Sequence, residues 1–149
     1  MEEYENHELT GIIIGCCCNV HTQLGLGFLE KIYVNALKIK LSQAGLKFDI
    51  KKEFVVVFED QMIGKFRCDL VVEGKVIVEL KSVTGYQPRV FQNQLISYLK
   101  ASKIKTGLLI NFGNTSCEVK EYLYKSFKYP HQNQWNHQIC GIRPQGRCK

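Results

Sequence analysis

The chain has 149 residues, 45% of them hydrophobic and 23% charged, which is enough for one domain that buries its own core without disulfide staples. Its formal charge is +6, unevenly spread: residues 1–30 hold Glu2, Glu3, Glu5, Glu8 and Glu30 and no Lys or Arg, so that segment carries −5 and the remainder +11. A basic body suits a polyanionic partner, nucleic acid first, although a solubilising surface has the same composition.

Apolar stretches such as FVVVF and GLLI are too short to span a bilayer, and the acidic opening MEEYENHELT is unlike a targeting leader. A cytoplasmic protein with no membrane partner is expected. The seven cysteines are Cys16, Cys17, Cys18, Cys68, Cys117, Cys140 and Cys148. Their number is odd, three are consecutive and none forms a CxxC pair, so reduced thiols are expected rather than a disulfide framework.

In chain order, Leu9, Ile12, Ile13, Cys16, Val20 and Leu24 recur at three- and four-residue steps and predict an amphipathic helix over 7–24. Gly25-Leu26-Gly27 breaks it. A second helix over 28–44 follows, with Leu29, Ile32, Tyr33, Ala36, Leu37 and Leu41 inward and Gly45 as its stop. The period then changes. Residues 51–58, 65–72 and 75–82 read as three strands, with turns at Glu59-Asp60-Gln61 and Glu73-Gly74. Pro88 suits the first turn of a helix placed at 88–101. TGLLINF, residues 106–112, reads as a strand buried on both faces. Residues 116–128 fit either a short helix or a last strand, and a polar tail begins at Tyr129. The order α-α-β-β-β-α-β predicts an α/β fold, a mixed sheet flanked by helices.

One hairpin carries more than structure. Residues 69–81, DLVVEGKVIVELK, are apolar except for Asp69, Glu79, Lys81 and the turn residues. Side chains alternate along a strand, so Glu79 and Lys81 share a face with Ile77, while Val78 and Leu80 point to the core. The turn decides where Asp69 lies. A two-residue loop pairs Asp69 with Val78. A three-residue loop, Glu73-Gly74-Lys75, pairs Val72 with Val76 and Asp69 with Glu79. Gly74 can take the left-handed conformation of such a bulged loop, and the longer loop is predicted.

Two carboxylates placed opposite each other repel, and a divalent cation with hard oxygen ligands, Mg²⁺ or Mn²⁺, relieves that repulsion. With Lys81 beside them to act on a water or a developing negative charge, these are the parts of a phosphodiester hydrolase. A surface hairpin with a Glu–Lys pair on its wet side has the same residues. In FQNQLISYLK, Gln94 and Tyr98 are four apart and stack on one helix face, flanking the stripe of Phe91, Leu95 and Leu99. Glu30 is the only acid between residues 9 and 48. It fits either a site residue or a first-turn carboxylate favoured by the helix dipole.

Glu30, Asp69, Glu79-Leu80-Lys81 and Gln94-x-x-x-Tyr98, in that order and on those elements, resemble the PD-(D/E)XK nuclease superfamily, in particular its RecB-type branch. The runs ELTGIIIGCCCNVHTQLGLGFLEKIYVNAL, FRCDLVVEGKVIVELKSV and QLISYLKASKIKTGLLINFG are similar to a small bacterial family, the GxxExxxR proteins, over roughly residues 8–113. The resemblance implies a restriction-endonuclease-like αβββαβ core in a domain over 1–128, followed by the tail at 129–149. It implies Glu30, Asp69, Glu79 and the Leu80 carbonyl as ligands of Mg²⁺ or Mn²⁺. Lys81 would be the catalytic lysine, with Gln94 and Tyr98 supporting the substrate or Lys81. The implied partner is nucleic acid, DNA ahead of RNA.

The chain departs from the family pattern at Val34, which stands where GxxExxxR has its Arg. Arg67, Lys65, Lys75, Arg89, Lys100 and Lys103 are candidate phosphate contacts, which makes binding salt-sensitive. A binding or assembly module that keeps the fold without cleavage is the main rival. An enzyme acting on another phosphate ester is a further reading. An iron–sulfur cluster drawing on Cys16–Cys18 before the core and Cys117, Cys140 and Cys148 after it has wide, irregular spacings, and a zinc site on His131, His137, Cys140 and Cys148 meets no standard spacing. His21 on the first helix reads as a surface or half-buried residue rather than a base.

Overall fold

The computed structural model describes residues 6–125; the expected tail from Tyr129 onward lies outside the described residues. The elements are α1 (His7–Leu24), α2 (Glu30–Gln43), β1 (Phe48–Phe58), β2 (Gln61–Val72), β3 (Val76–Lys81), α3 (Arg89–Ser102), β4 (Thr106–Asn111) and β5 (Glu118–Leu123). The strands form one sheet in the order β1-β2-β3-β4-β5. Only β3 and β4 run parallel, joined by the α3 crossover. This is the expected mixed α/β sheet, and residues 118–123 resolve the open choice in favour of a strand.

Each helix buries a narrower stripe than its sequence suggests. In α1 the buried apolar positions are Ile13, Cys17 and Val20, and Ile12 faces out. In α2 they are Tyr33, Leu37 and Leu41. Leu29 is exposed because the helix begins only at Glu30, with Leu29 as its extended N-cap residue; Ile32, in the first turn of α2, lies outside the buried stripe and is exposed as well. The end of α2 follows glycine logic. Gly45 takes a φ of 75°, its N–H bonds the Ser42 carbonyl, and Leu46 N–H bonds Leu41. Pro88 is the N-cap residue of α3, one position before the expected first turn.

The sheet is packed on both faces. Val76, Val78, Leu80, Leu108 and Ile110 join α1 and α2 in one core. Ile77, Val71 and Leu109 join Leu95 and Leu99 of α3 in the other. The six-residue strands β3 and β4 therefore carry almost unbroken apolar runs. Tyr33 closes the first core, stacking on Phe112 at 4.5 Å while its hydroxyl donates to the Gly25 carbonyl at 2.6 Å. His21 is buried as well, its Nε2 2.8 Å from the Asn114 carbonyl oxygen, so it is buried more deeply than the surface or half-buried position expected.

Among the described cysteines, Cys16, Cys17, Cys68 and Cys117 are free thiols. Cys18 is disulfide-bonded, which departs from the expectation of reduced thiols. No described helix is long and apolar enough to cross a membrane.

Two glycines make opposite predictions. A Cβ built on Gly113 would lie 2.3 Å from the Val83 carbonyl oxygen, a backbone atom that cannot swing away. Gly15, inside α1, has nothing within 4 Å. Gly113→Ala is expected to cost about 2 kcal/mol or more, and Gly15→Ala to add about 0.5–1 kcal/mol through helix propensity. Urea denaturation of the two variants beside the wild type checks both signs.

Candidate functional site

The β2–β3 hairpin closes through the predicted three-residue loop. Leu70 pairs with Val78, Val71 with Ile77 and Val72 with Val76. Glu73 and Gly74 both have positive φ, and Lys75 N–H bonds the Val72 carbonyl. This register carries Asp69 opposite Glu79, but the ladder ends one step before them. The strands part there, and side chains fill the gap. Asp69 N–H donates to Glu79 Oε1 at 3.0 Å, and Leu80 N–H donates to Asp69 Oδ2 at 2.9 Å. Each carboxylate thus takes a backbone donor from the opposing strand.

β2 also changes face at this point. Phe66 and Cys68 pack in the α3 core, as Val71 does, whereas Leu70 and Val72 pack against α1 and α2. Alternation therefore resets at Asp69. On β1 the residue across from it, Lys51, has φ 48° and drops out of the ladder between Ile50↔Leu70 and Lys52↔Cys68. Strict alternation from Asp69 predicts that Cys68 points away from the site and packs in the core, and the reset corrects the first half of that. Cys68 is fully buried, but on the side of the site: burial first, then the charges of Glu79 and Asp69, push its thiol up to about 12. It is a core thiol, not a nucleophile.

Glu79 is 4% exposed. Burial and the adjacent Asp69 charge raise its carboxyl to about 8, against smaller favourable effects from the Asp69 N–H and from Lys81. Glu30, half-buried at the start of α2, is raised by its own burial and by Asp69, and lowered by Lys81. The same two charges thus reach Glu30 at the start of α2 and Glu79 on β3.

Lys81 lies over the Phe91 ring, with Nζ 4.6 Å from the centroid, and makes no salt bridge among the described residues. Tyr98 stacks on Phe66 at 4.2 Å with an interplanar angle of 3°, and Phe66 stacks in turn on Phe54 at 5.3 Å. The Tyr98 hydroxyl is raised by burial and by the Glu79 charge, and is lowered by its hydrogen bond to Gln94. Glu30, Asp69, Glu79, Lys81, Gln94 and Tyr98 are therefore linked pairwise by charge or hydrogen bonding.

Their carboxylates do not form a ready cage. Among the described residues, no three or more His, Cys, Asp or Glu side chains stand together as metal ligands. The reason is visible in the hydrogen bonds: one oxygen of Asp69 and one of Glu79 are turned to backbone donors. The donor chemistry nevertheless fits a hard divalent cation. A buried carboxyl is held against a second carboxylate, and the repulsion that raises Glu79 is what a cation would offset.

Of the candidate phosphate contacts, Lys65 and Arg67 are engaged with Glu53 at 3.2 and 3.5 Å. Val34 packs partly buried against the α1–α2 core.

Sequence reading missed Phe54 and Phe66, which support Tyr98, and it missed Phe91 as the seat of Lys81. Phe91 had been assigned only to the packed stripe of α3. It also missed Asn111 and Asn114, which clamp the segment after Lys81. Asn111 Oδ1 accepts from Val83 N–H at 3.0 Å and Nδ2 donates to Val83 O at 2.9 Å. Asn114 does the same with Gly85, at 2.7 and 2.9 Å. The turn-rich run NFGN was the available signal.

Among curated proteins, none matches the chain. Among solved structures, the protein SSO0001 is similar, with a TM-score of 0.53 and 18% sequence identity over 65% of this chain and 52% of that one. The chain thus spans about half the length of that protein, and at this identity the likeness concerns the fold. The model of the PD-(D/E)XK nuclease superfamily matches residues 7–122, from the first turn of α1 into β5 and across the opened hairpin, and the chain belongs to that superfamily.

Proposed function

We propose that this protein hydrolyses phosphodiester bonds of nucleic acid, DNA ahead of RNA, with Mg²⁺ or Mn²⁺. The observation that carries the reading is the opened hairpin, where Asp69 and Glu79 are held side by side with Lys81 two residues further along β3. Superfamily membership supports it, since these nucleases generally use divalent metals. In this reading Glu30, Asp69, Glu79 and the Leu80 carbonyl hold the ion, which supplies Lewis-acid polarisation of the phosphate and a more acidic water.

The chain's own residues supply the rest. Lys81, seated over Phe91, assists the attacking water or the leaving oxygen. Tyr98, immobilised by the Phe66 stack, and Gln94 bonded to it, orient the scissile phosphate or Lys81. The finer placement we propose is the GxxExxxR family within the RecB-type branch. The domain would span 1–128 with a tail at 129–149, in a cytoplasmic protein.

A second reading is a binding or assembly module with the same fold. The absence of a preformed three-ligand cluster among the described residues favours it. Cleavage assays separate the two. Mn²⁺-dependent hydrolysis of single- or double-stranded DNA or of RNA is expected for the wild type, with Asp69→Ala and Lys81→Ala each lowering the rate about 100-fold or more. Metal-dependent binding without turnover supports the module. A wild type that binds no divalent metal overturns the nuclease.

Glu79 gives a pH test on metal-free protein. Its carboxyl is higher in the fold than in the unfolded chain, so the folded state binds the proton more tightly. The stability this supplies is present at low pH and is lost as pH rises from the ordinary carboxylate range towards 8. In EDTA, wild type should lose Tm relative to Glu79→Gln across that window. Adding Mn²⁺ at the upper end should restore Tm in wild type and not in Asp69→Ala.

A further inference from the structure

The two connections that flank the candidate site carry apolar side chains into water. Leu29, 79% exposed, directly precedes Glu30, and Leu26 and Phe28 of the same connection are exposed as well. Tyr86, 87% exposed, lies on the segment from Lys81 to α3, and exposed Val90 follows in the first turn of that helix. The two connections are tied together, since Ser82 Oγ donates to the Phe28 carbonyl at 2.8 Å. Exposed cations, Lys31 and Arg89, stand among these residues in the chain.

Tyr86 is not on a slack loop. Asn111 and Asn114 hold Val83 and Gly85 through two hydrogen bonds each, and Gly85 turns the chain at φ 83° immediately before Tyr86. A rigid backbone thus presents a large aromatic face to solvent. Such a face costs little ordering entropy when a ligand covers it.

We propose that this rim is a stacking platform for unpaired bases, and that the polynucleotide taken by the site is single-stranded. The proposal rests on the nuclease reading for the location of the scissile bond, but not for the binding itself. A duplex hides its base faces and offers phosphates and groove edges, from which exposed Leu, Phe and Tyr side chains gain little. A single strand offers flat apolar faces and phosphates together. A rim of aromatic and aliphatic groups interspersed with cations complements both. DNA and RNA single strands share that chemistry.

The test is fluorescence anisotropy with the full chain in EDTA, using labelled single-stranded DNA, single-stranded RNA and duplex DNA of about 20 nucleotides. Wild type should bind at least one single strand about tenfold more tightly than the duplex. Tyr86→Ala should weaken single-strand binding about tenfold, leave duplex binding unchanged, and be rescued by Tyr86→Trp. Equal or tighter duplex binding overturns the proposal, as does a Tyr86→Ala effect that is absent or the same on both substrates, or no polynucleotide binding at all. Because no metal is present, single-strand preference that depends on Tyr86 upholds the platform even if parallel Mn²⁺ assays show no cleavage and the nuclease reading fails.

Discussion

Two like charges held side by side at the mouth of a hairpin organise this molecule. Asp69 and Glu79 sit opposite each other because a three-residue loop sets the register, and the ladder gives way where they meet. Each then accepts an N–H that the opposing strand would otherwise have offered to a carbonyl. The arrangement costs free energy, since a buried carboxyl beside a second carboxylate raises its own affinity for a proton. A fold has no need of it for stability alone. The two apolar cores, one on each face of β3 and β4, supply the stability that lets it persist.

Much of the fold could be read from periodicity. The three- and four-residue apolar steps in α1 and α2, the alternation in β2 and β3 and the continuous run in β4 all correspond to elements within a few residues of their expected bounds. The hairpin register was also legible, because parity admits only two answers and Gly74 favours one. Leu29 misled because an apolar residue beside a helix start looks inward on a helical wheel even when the helix has not yet begun, and Ile32 because the buried stripe of α2 runs through Tyr33, Leu37 and Leu41 and leaves it outside. The class of β5 was not readable, since EVKEYL has neither a clean alternation nor a long apolar run, and it becomes a strand by pairing with β4.

The candidate site was legible in its residue types but not in its supports. That Asp69 faces Glu79 follows from local counting. That β2 changes face beside Asp69 does not, because it depends on Lys51 leaving the ladder on a neighbouring strand. The same holds for Phe91 beneath Lys81 and for Phe66 against Tyr98. Each partnership joins a strand to the α3 helix, and only tertiary packing brings them together. The carboxylate rotamers were equally out of reach, since their backbone partners exist only once the strands have parted.

The paired asparagines have a mechanical consequence. By offering a donor and an acceptor to a single residue, Asn111 and Asn114 each behave as one more rung of the sheet, extended beyond the last strand residue that pairs. The stretch from Ser82 to Pro88 is therefore welded to the scaffold instead of hinged to it. A segment held this way does not fold over what it meets. It offers a fixed contour, and whatever docks must already match that contour or deform to meet it.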